Sequence, residues 1–201
     1  MLKAKTLATN KTTKTPKKSA SVLTPPMIKK CRQDNIRSTY NQYFSSGFYK
    51  KRYPRINQCT AKFIEQYILQ KRQSTSQTRH ILDYGCGNGR YLLNLLKHHR
   101  ALQFIAYDIS PAPLEILQHD LQAIDAEPNV TIISHFDALY QHMQRHHTTT
   151  PIDAALLLFG VLSHIASPIQ RQDVLRFLRL HLGQQGHLIL SVPNKRRRFT
   201  L

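Results

Sequence analysis

Acidic residues are scarce in this chain of 201: eleven Asp and Glu stand against 29 Lys and Arg, a formal net charge of +18. Such an excess bears on partners and solubility, not on fold. It makes nucleic acid or another anionic surface a natural partner. Long apolar runs are also missing. Nothing approaches the roughly 20 residues of a membrane span, and the first 18 residues lack the apolar core of a secretory signal. The expectation is a soluble, cytoplasmic protein without a membrane span. Cysteine is rare as well. Cys31, Cys59 and Cys86 are odd in number and form no C-x-x-C pair, which argues against a disulfide framework or a zinc ribbon and suits a reducing compartment. Hydrophobic residues make up 41% of the chain, enough for a buried core, and the length suggests a single folded domain.

The first 33 residues carry nine Lys or Arg and no acid until Asp34. Stretches such as "NKTTKTPKKSASVLTPP" cannot bury enough apolar surface to offset chain entropy, so 1–33 is expected to be a disordered basic tail. It can be an RNA-contacting arm, a solvated tail, or a basic presequence, the last weakened by Lys outnumbering Arg. Residues 34–79 follow as an N-terminal helical segment. It holds the aromatic and basic "NIRSTYNQYFSSGFYKKRYPRIN", then "TAKFIEQYILQ", where Phe63, Ile64, Tyr67 and Ile68 form a helical stripe. "RQSTSQTR" is a polar linker.

From residue 80 to 201 strands and helices alternate. Strands are expected at His80–Tyr84, Gln103–Tyr107, Val130–Ser134, Ile152–Phe159 and His187–Val192. The helix from about Asn88 to His98 places Leu92, Leu95 and Leu96 on one face. The next starts with Ser110 as N-cap and Pro111 at the first helical position, with Leu114, Leu117, Leu121 and Ile124 in a stripe. A short helix lies near Ala138–His146. A last one opens at Ser167-Pro168, turns Leu175, Leu178 and Leu182 to the sheet, and is stopped by Gly183. Five alternations describe an α/β fold: a Rossmann-like, doubly wound, mostly parallel sheet with helices on both faces.

Glycine is clustered where it occurs: three of seven lie in "GCGNG", Gly85-Cys86-Gly87-Asn88-Gly89. This loop follows the first strand, and in such sheets ligands sit beyond the carboxyl ends of the strands where strand order reverses. Glycine allows positive φ and removes the Cβ that blocks close approach to the backbone. A dinucleotide fingerprint is G-x-G-x-x-G. Here the third glycine comes one position early, and Arg90 stands where Gly or Ala is wanted. Asp83, two residues before the loop, repels a pyrophosphate and attracts a cation or an amine. S-adenosylmethionine, with an amino-acid end, a sulfonium, a ribose and an adenine, fits that demand. Asp108 closes the second strand, where an acid can accept from both ribose hydroxyls, and Ile109 can pack on adenine. Asp137 can take the adenine amino group with Phe136 or Ala138 against the ring, or it can cap the next helix.

"LDYGCGNGRYL", "IAYDIS", "FDA" and "LLLFGVLSHI", in this order, resemble the class I S-adenosylmethionine-dependent methyltransferases over roughly Ile81–Val192. The similarity points to the quinone-biosynthesis and tRNA wobble-uridine subgroups. It implies that the loop from Asp83 to Gly89 holds the methionine moiety, that Asp108 holds the ribose, and that "YFSSGFYKKRYPRIN" covers the cofactor. The methyl acceptor implied is a small molecule or tRNA. A non-catalytic nucleic-acid-binding protein keeping the fold is the alternative. The fifth strand lies about nine residues from Leu201, where the family fold continues with further strands, so a C-terminally shortened domain is expected.

Methyl transfer to a positioned nucleophile needs a base only if that nucleophile must lose a proton. After the fourth strand come Phe159, Gly160, Val161, Ser163 and His164. His164 can act as base, orient the substrate, or bond a loop carbonyl. Cys86 lies near a helix start that could lower its pKa, although small volume also explains it. The paired histidines of "HMQRHH" and "KHHR" do not converge on one point, so no metal is expected. "KRRR" at 195–198 can meet a substrate phosphate or simply be solvated.

Overall fold

A computed structural model describes residues 30–69 and 78–193. Most of the basic tail, most of the polar linker and the 195–198 run lie outside the described residues.

The sheet forms from the runs richest in branched and aromatic residues. Strands β1 (Arg79–Tyr84), β2 (Leu102–Tyr107), β3 (Val130–Ile133), β4 (Ile152–Leu157) and β5 (Leu182–Leu190) are all parallel, in the order β3-β2-β1-β4-β5. Central strands of such a sheet are covered on both faces and so read as near-continuous apolar runs. In β1, β2 and β4 the last four residues are all buried.

Two apolar layers cover the faces. Helices α3 (Gln58–Leu69), α4 (Arg90–His98) and α5 (Pro111–Gln122) bring Ile64, Ile68, Leu92, Leu96, Leu117 and Leu121 to one side. Helices α6 (Phe136–His146) and α8 (Pro168–His181) bring Leu139, Met143, Val174, Phe177 and Leu178 to the other. Two further helices, α1 (Lys30–Ser45) and α2 (Phe48–Arg52), precede the sheet, and α1 packs on α5. A single turn, α7 (Val161–His164), follows β4.

Several sequence expectations need correction. In α3, Ile64 and Ile68 are buried, but Phe63 and Tyr67 are 50% and 36% exposed. Two adjacent i,i+4 pairs make a stripe wider than the contact available, and only one pair reaches the core. Ser110 occupies the N-cap position of α5, yet its side chain makes no capping bond. The free Ala112 N–H is taken instead by Asn41 Oδ1 of α1, at 3.2 Å. Ser167 does cap α8, with Gln170 completing a reciprocal capping box. Gly183 does not stop that helix: α8 ends at His181, and β5 starts at Leu182, before the expected His187. An irregularity in register lets Ile152 pair with Leu182 and Ala154 with His187, so residues 183–186 loop out opposite one residue of β4. Periodicity cannot show such a bulge.

Candidate functional site

The carboxyl ends of β1, β2 and β4 open into a cavity at the point where strand order reverses. Its floor is the glycine loop. Gly85, Gly87 and Gly89 all have positive φ, at 79°, 55° and 64°. The Gly85 and Cys86 N–H groups both donate to the Tyr107 carbonyl, at 2.7 and 3.0 Å, tying the loop to the end of β2. Two of these glycines owe their identity to the protein's own packing. A Cβ on Gly85 would stand 2.5 Å from Val161 Cγ2, and one on Gly89 would stand 2.5 Å from Leu117 Cδ1. Above Gly87 lies the Phe44 ring of α1, 3.2 Å from where a Cβ would be. Beside the positive φ and the room for a ligand expected from the sequence, these glycines answer to crowding from Val161, Leu117 and Phe44.

Two carboxylates face this floor. Asp83 is 3% exposed and lines the cavity. Among the described residues no donor of the protein bonds its carboxylate. Burial, and then the Asp108 charge, push it up to about 7. Asp108 is also raised, chiefly by burial, but backbone donors oppose the shift. Gly87 N–H donates to its Oδ2 and Ser110 N–H to its Oδ1, both at 2.9 Å. The Ser110 side chain and the Ile109 N–H act on it in the same direction, so Asp108 also ties the loop to the end of β2. Cys86 lines the cavity, but its thiol is pushed well above the ordinary value by burial and by both aspartates. The expected lowering near a helix start loses to desolvation, so Cys86 is no nucleophile at neutral pH.

The walls come from both ends of the chain. Phe159, just after β4, adopts a left-handed backbone with φ 54°, followed by Gly160 at 73°. That pair turns the Phe159 ring out, 50% exposed, at the cavity mouth. Arg90 donates to the carbonyls of Tyr53 and Arg55. Its guanidinium lies 5.6 to 5.9 Å from the ring centres of Phe159, Tyr49 and Tyr53. Cation–π attraction of this kind is worth about 0.5–2 kcal/mol per contact. Arg90 so clasps the segment around α2 against the site. Beyond it Lys50, Lys51, Arg52 and Arg55 are exposed beside Phe48 and Tyr53.

The structure thus brings together Asp83, Gly85, Cys86, Gly87, Asp108, Ile109, Phe159 and His164 around one cavity. Asn88 and Gly89 belong to the loop but do not line it, and Asn88 Oδ1 is buried without a partner. Phe136, Asp137 and Ala138 lie outside the lining. They form the first turn of α6, with Asp137 and Ala138 exposed and Phe136 against the second apolar layer. Tyr40, Tyr49, Arg90 and Tyr91 also line the cavity. Tyr49 lies in the segment that the resemblance set over the cofactor, and the signal for Tyr40 is the density of aromatics in "TYNQYFSSGFY".

A family model described as methyltransferase domain matches residues 54–200. No curated protein matches the chain. Among solved structures, precorrin-8w decarboxylase of Methanobacterium thermoautotrophicum aligns with TM-score 0.51 at 20% identity, over 71% of this chain and 66% of its own. The S-adenosylmethionine-bound amino pentose methyltransferase CalS10 of Micromonospora echinaspora gives 0.54 at 18%, over 79% and 59%. Precorrin-6y C5,15-methyltransferase of Geobacter metallireducens gives 0.52 at 13%, over 71% and 66%. At these identities the likeness concerns the fold, and the chain spans less than two thirds of each neighbour's length.

Proposed function

The chain belongs to the methyltransferase-domain family that matches residues 54–200, and from that membership we propose that it transfers a methyl group from S-adenosylmethionine to a small-molecule or tRNA acceptor. The observation that carries the choice of donor is Asp83, a buried carboxylate that faces the cavity with no hydrogen-bond donor on it among the described residues. Burying a charge is costly unless it is paired, so the site asks for a cationic ligand. The ammonium of S-adenosylmethionine answers that demand, and a pyrophosphate does not.

In this reading Asp83 and the 85–89 loop hold the amino-acid end, Asp108 accepts from the ribose, and Ile109 meets the adenine. Phe136 stands behind, its ring centre 6.4 Å from that of Tyr107, while Asp137 and Ala138 drop from the set of contacts. When bound, the cofactor supplies an electrophilic methyl carbon with a neutral thioether as leaving group. The protein's part is to fix the reactants in line, and such positioning can supply about 7–11 kcal/mol of a barrier. Helices α1 and α2 bring Tyr40, Phe44 and Tyr49 to the cavity where that encounter takes place.

Calorimetry tests the donor. S-adenosylmethionine is expected to bind and NAD is not. Asp108→Asn is expected to weaken binding about 10- to 100-fold, the value of one or two charged hydrogen bonds. Unchanged affinity in that variant would remove Asp108 from the proposed pocket.

Lys50, Lys51, Arg52 and Arg55 are exposed in the segment that follows the cavity residue Tyr49; they favour an anionic acceptor and support tRNA over a neutral metabolite. They also suit the second reading, a nucleic-acid-binding protein that keeps the fold without turnover. Bulk tRNA is expected to bind with an affinity that falls steeply as salt rises, the slope shrinking by roughly one for each phosphate contact removed by Lys50→Ala or Arg52→Ala. A salt-independent affinity would exclude a phosphate-led acceptor.

A further inference from the structure

Two residues that line the cavity meet there from distant parts of the chain. Tyr40 lies on α1 and His164 ends α7, 124 residues away, yet Tyr40 Oη is 2.9 Å from His164 Nε2. The rings meet edge to face, with centres 5.4 Å apart. Both line the cavity. Burial, and then the Asp108 charge, hold the Tyr40 phenol above its ordinary value. A phenol that keeps its proton can donate it to His164 Nε2, an arrangement that puts the imidazole proton on Nδ1. His164 is exposed and can exchange protons with water.

Of the phenols that line the cavity, Tyr40 is the one hydrogen-bonded to an imidazole among the described residues. Asp83 and Asp108 are taken by the donor in the reading above. The Cys86 thiol is held protonated, and Arg90 is spent on the segment around α2. In that tautomer Tyr40 occupies the basic nitrogen of His164, so the imidazole takes a proton through the phenol.

From this arrangement we infer that Tyr40 is the catalytic group that receives the acceptor's proton, with His164 behind it as the positioning residue that draws off the phenol's own. The inference rests on the methyltransferase reading and names the class of acceptor: one carrying an O–H or N–H that must be lost before attack. The acceptor's proton moves to Tyr40 Oη as Tyr40's proton moves to His164 Nε2. The electron pair freed on the acceptor atom makes the bond to the methyl carbon, and the pair of the broken carbon–sulfur bond stays on sulfur. The imidazolium then returns a proton to solvent. Tyr40 arrives on α1, so the relay is complete only while α1 is docked on α5.

The test uses Tyr40→Phe in the full chain, which keeps the ring and removes the oxygen. Two anionic probes serve as acceptors near neutral pH: 4-hydroxybenzenesulfonate, whose hydroxyl is protonated, and 4-hydroxy-3-nitrobenzenesulfonate, whose hydroxyl is largely ionised. With methyl-labelled S-adenosylmethionine, the variant should lose about 100-fold or more on the first probe, the ordinary worth of a positioned base. The ionised probe needs no relay and should lose less than about five-fold on the same scale. Two readouts do not depend on turnover. Donor affinity by calorimetry should stay within about three-fold, far less than one charged hydrogen bond is worth. Nitrogen-15 spectra should show His164 as the Nδ1–H tautomer, shifting toward a mixture in the variant. Equal losses on both probes, a wild-type Nε2–H tautomer, or no transfer to either probe by protein that binds the donor would each overturn the relay. Protein that fails to bind the donor overturns the methyltransferase reading, and the relay with it.

Discussion

Asp83→Asn is expected to weaken S-adenosylmethionine binding by more than 100-fold while leaving the ligand-free protein as stable as before, or more so, at pH 8. Losing one member of a buried charge pair costs about 3–5 kcal/mol, which is a factor of more than 100 in affinity. The ligand-free effect has the opposite sign. The native Asp83 carboxyl is raised to about 7 by burial and by Asp108, so between the ordinary carboxylate value, near 4, and 7 the folded protein binds a proton that the unfolded chain releases. Its contribution to stability is therefore present at low pH and is lost as pH rises toward 7. Asparagine carries no charge to desolvate and escapes that loss. Donor affinity should climb between about pH 5.5 and 7.5 as Asp83 ionises, below the range in which an α-amino group itself titrates. Calorimetry across that range, with melting curves of both proteins, checks the two signs together. A flat wild-type profile, or an asparagine variant that binds normally, would take Asp83 out of the site.

The second large effect concerns stability. Gly89→Ala forces a side chain onto a backbone with φ 64° and sets its Cβ 2.5 Å from Leu117 Cδ1. Leu117 is fully buried in the layer between α5 and the sheet. Left-handed backbone costs a non-glycine residue about 1–2 kcal/mol and overpacking a further 1–3. The sum should lower the melting temperature by roughly 5–15 °C in a chain of this size. Gly47 supplies the control, since it has φ 74° but nothing within 4 Å of a built Cβ. Gly47→Ala should show the backbone cost alone. Equal losses at both positions would mean that Leu117 yields, and that crowding does not explain Gly89.

Much of the sheet was legible because apolar runs buried on both faces have few alternatives; β1, β2 and β4 differ from expectation only at their ends. The fifth strand was misplaced because the bulge at 183–186 depends on pairing with β4, a contact that no local pattern encodes. In the site, the glycine loop and its two carboxylates were legible, since residue type and spacing carry their chemistry. Phe136, Asp137 and Ala138 were drawn in by position after a strand; the chain enters α6 there at once and carries two of them to the surface. Phe44 and Tyr49 fall in the segment that the resemblance set over the cofactor, whereas Tyr40 was legible only as one of a cluster of aromatics. The places of Tyr40 and Phe44 come from α1 lying on α5, where Asn41 reaches a backbone N–H 71 residues away.

That bond between Asn41 and the start of α5 bears on how the protein should be handled. The family match begins at residue 54, downstream of Asn41, Tyr40 and Phe44. A version trimmed to the matched segment would keep every strand, yet it would bare the Ala112 amide, unroof Gly87 and leave His164 without its phenol. Such a piece would misreport the whole protein, because the boundary drawn by similarity cuts through one wall of the cavity.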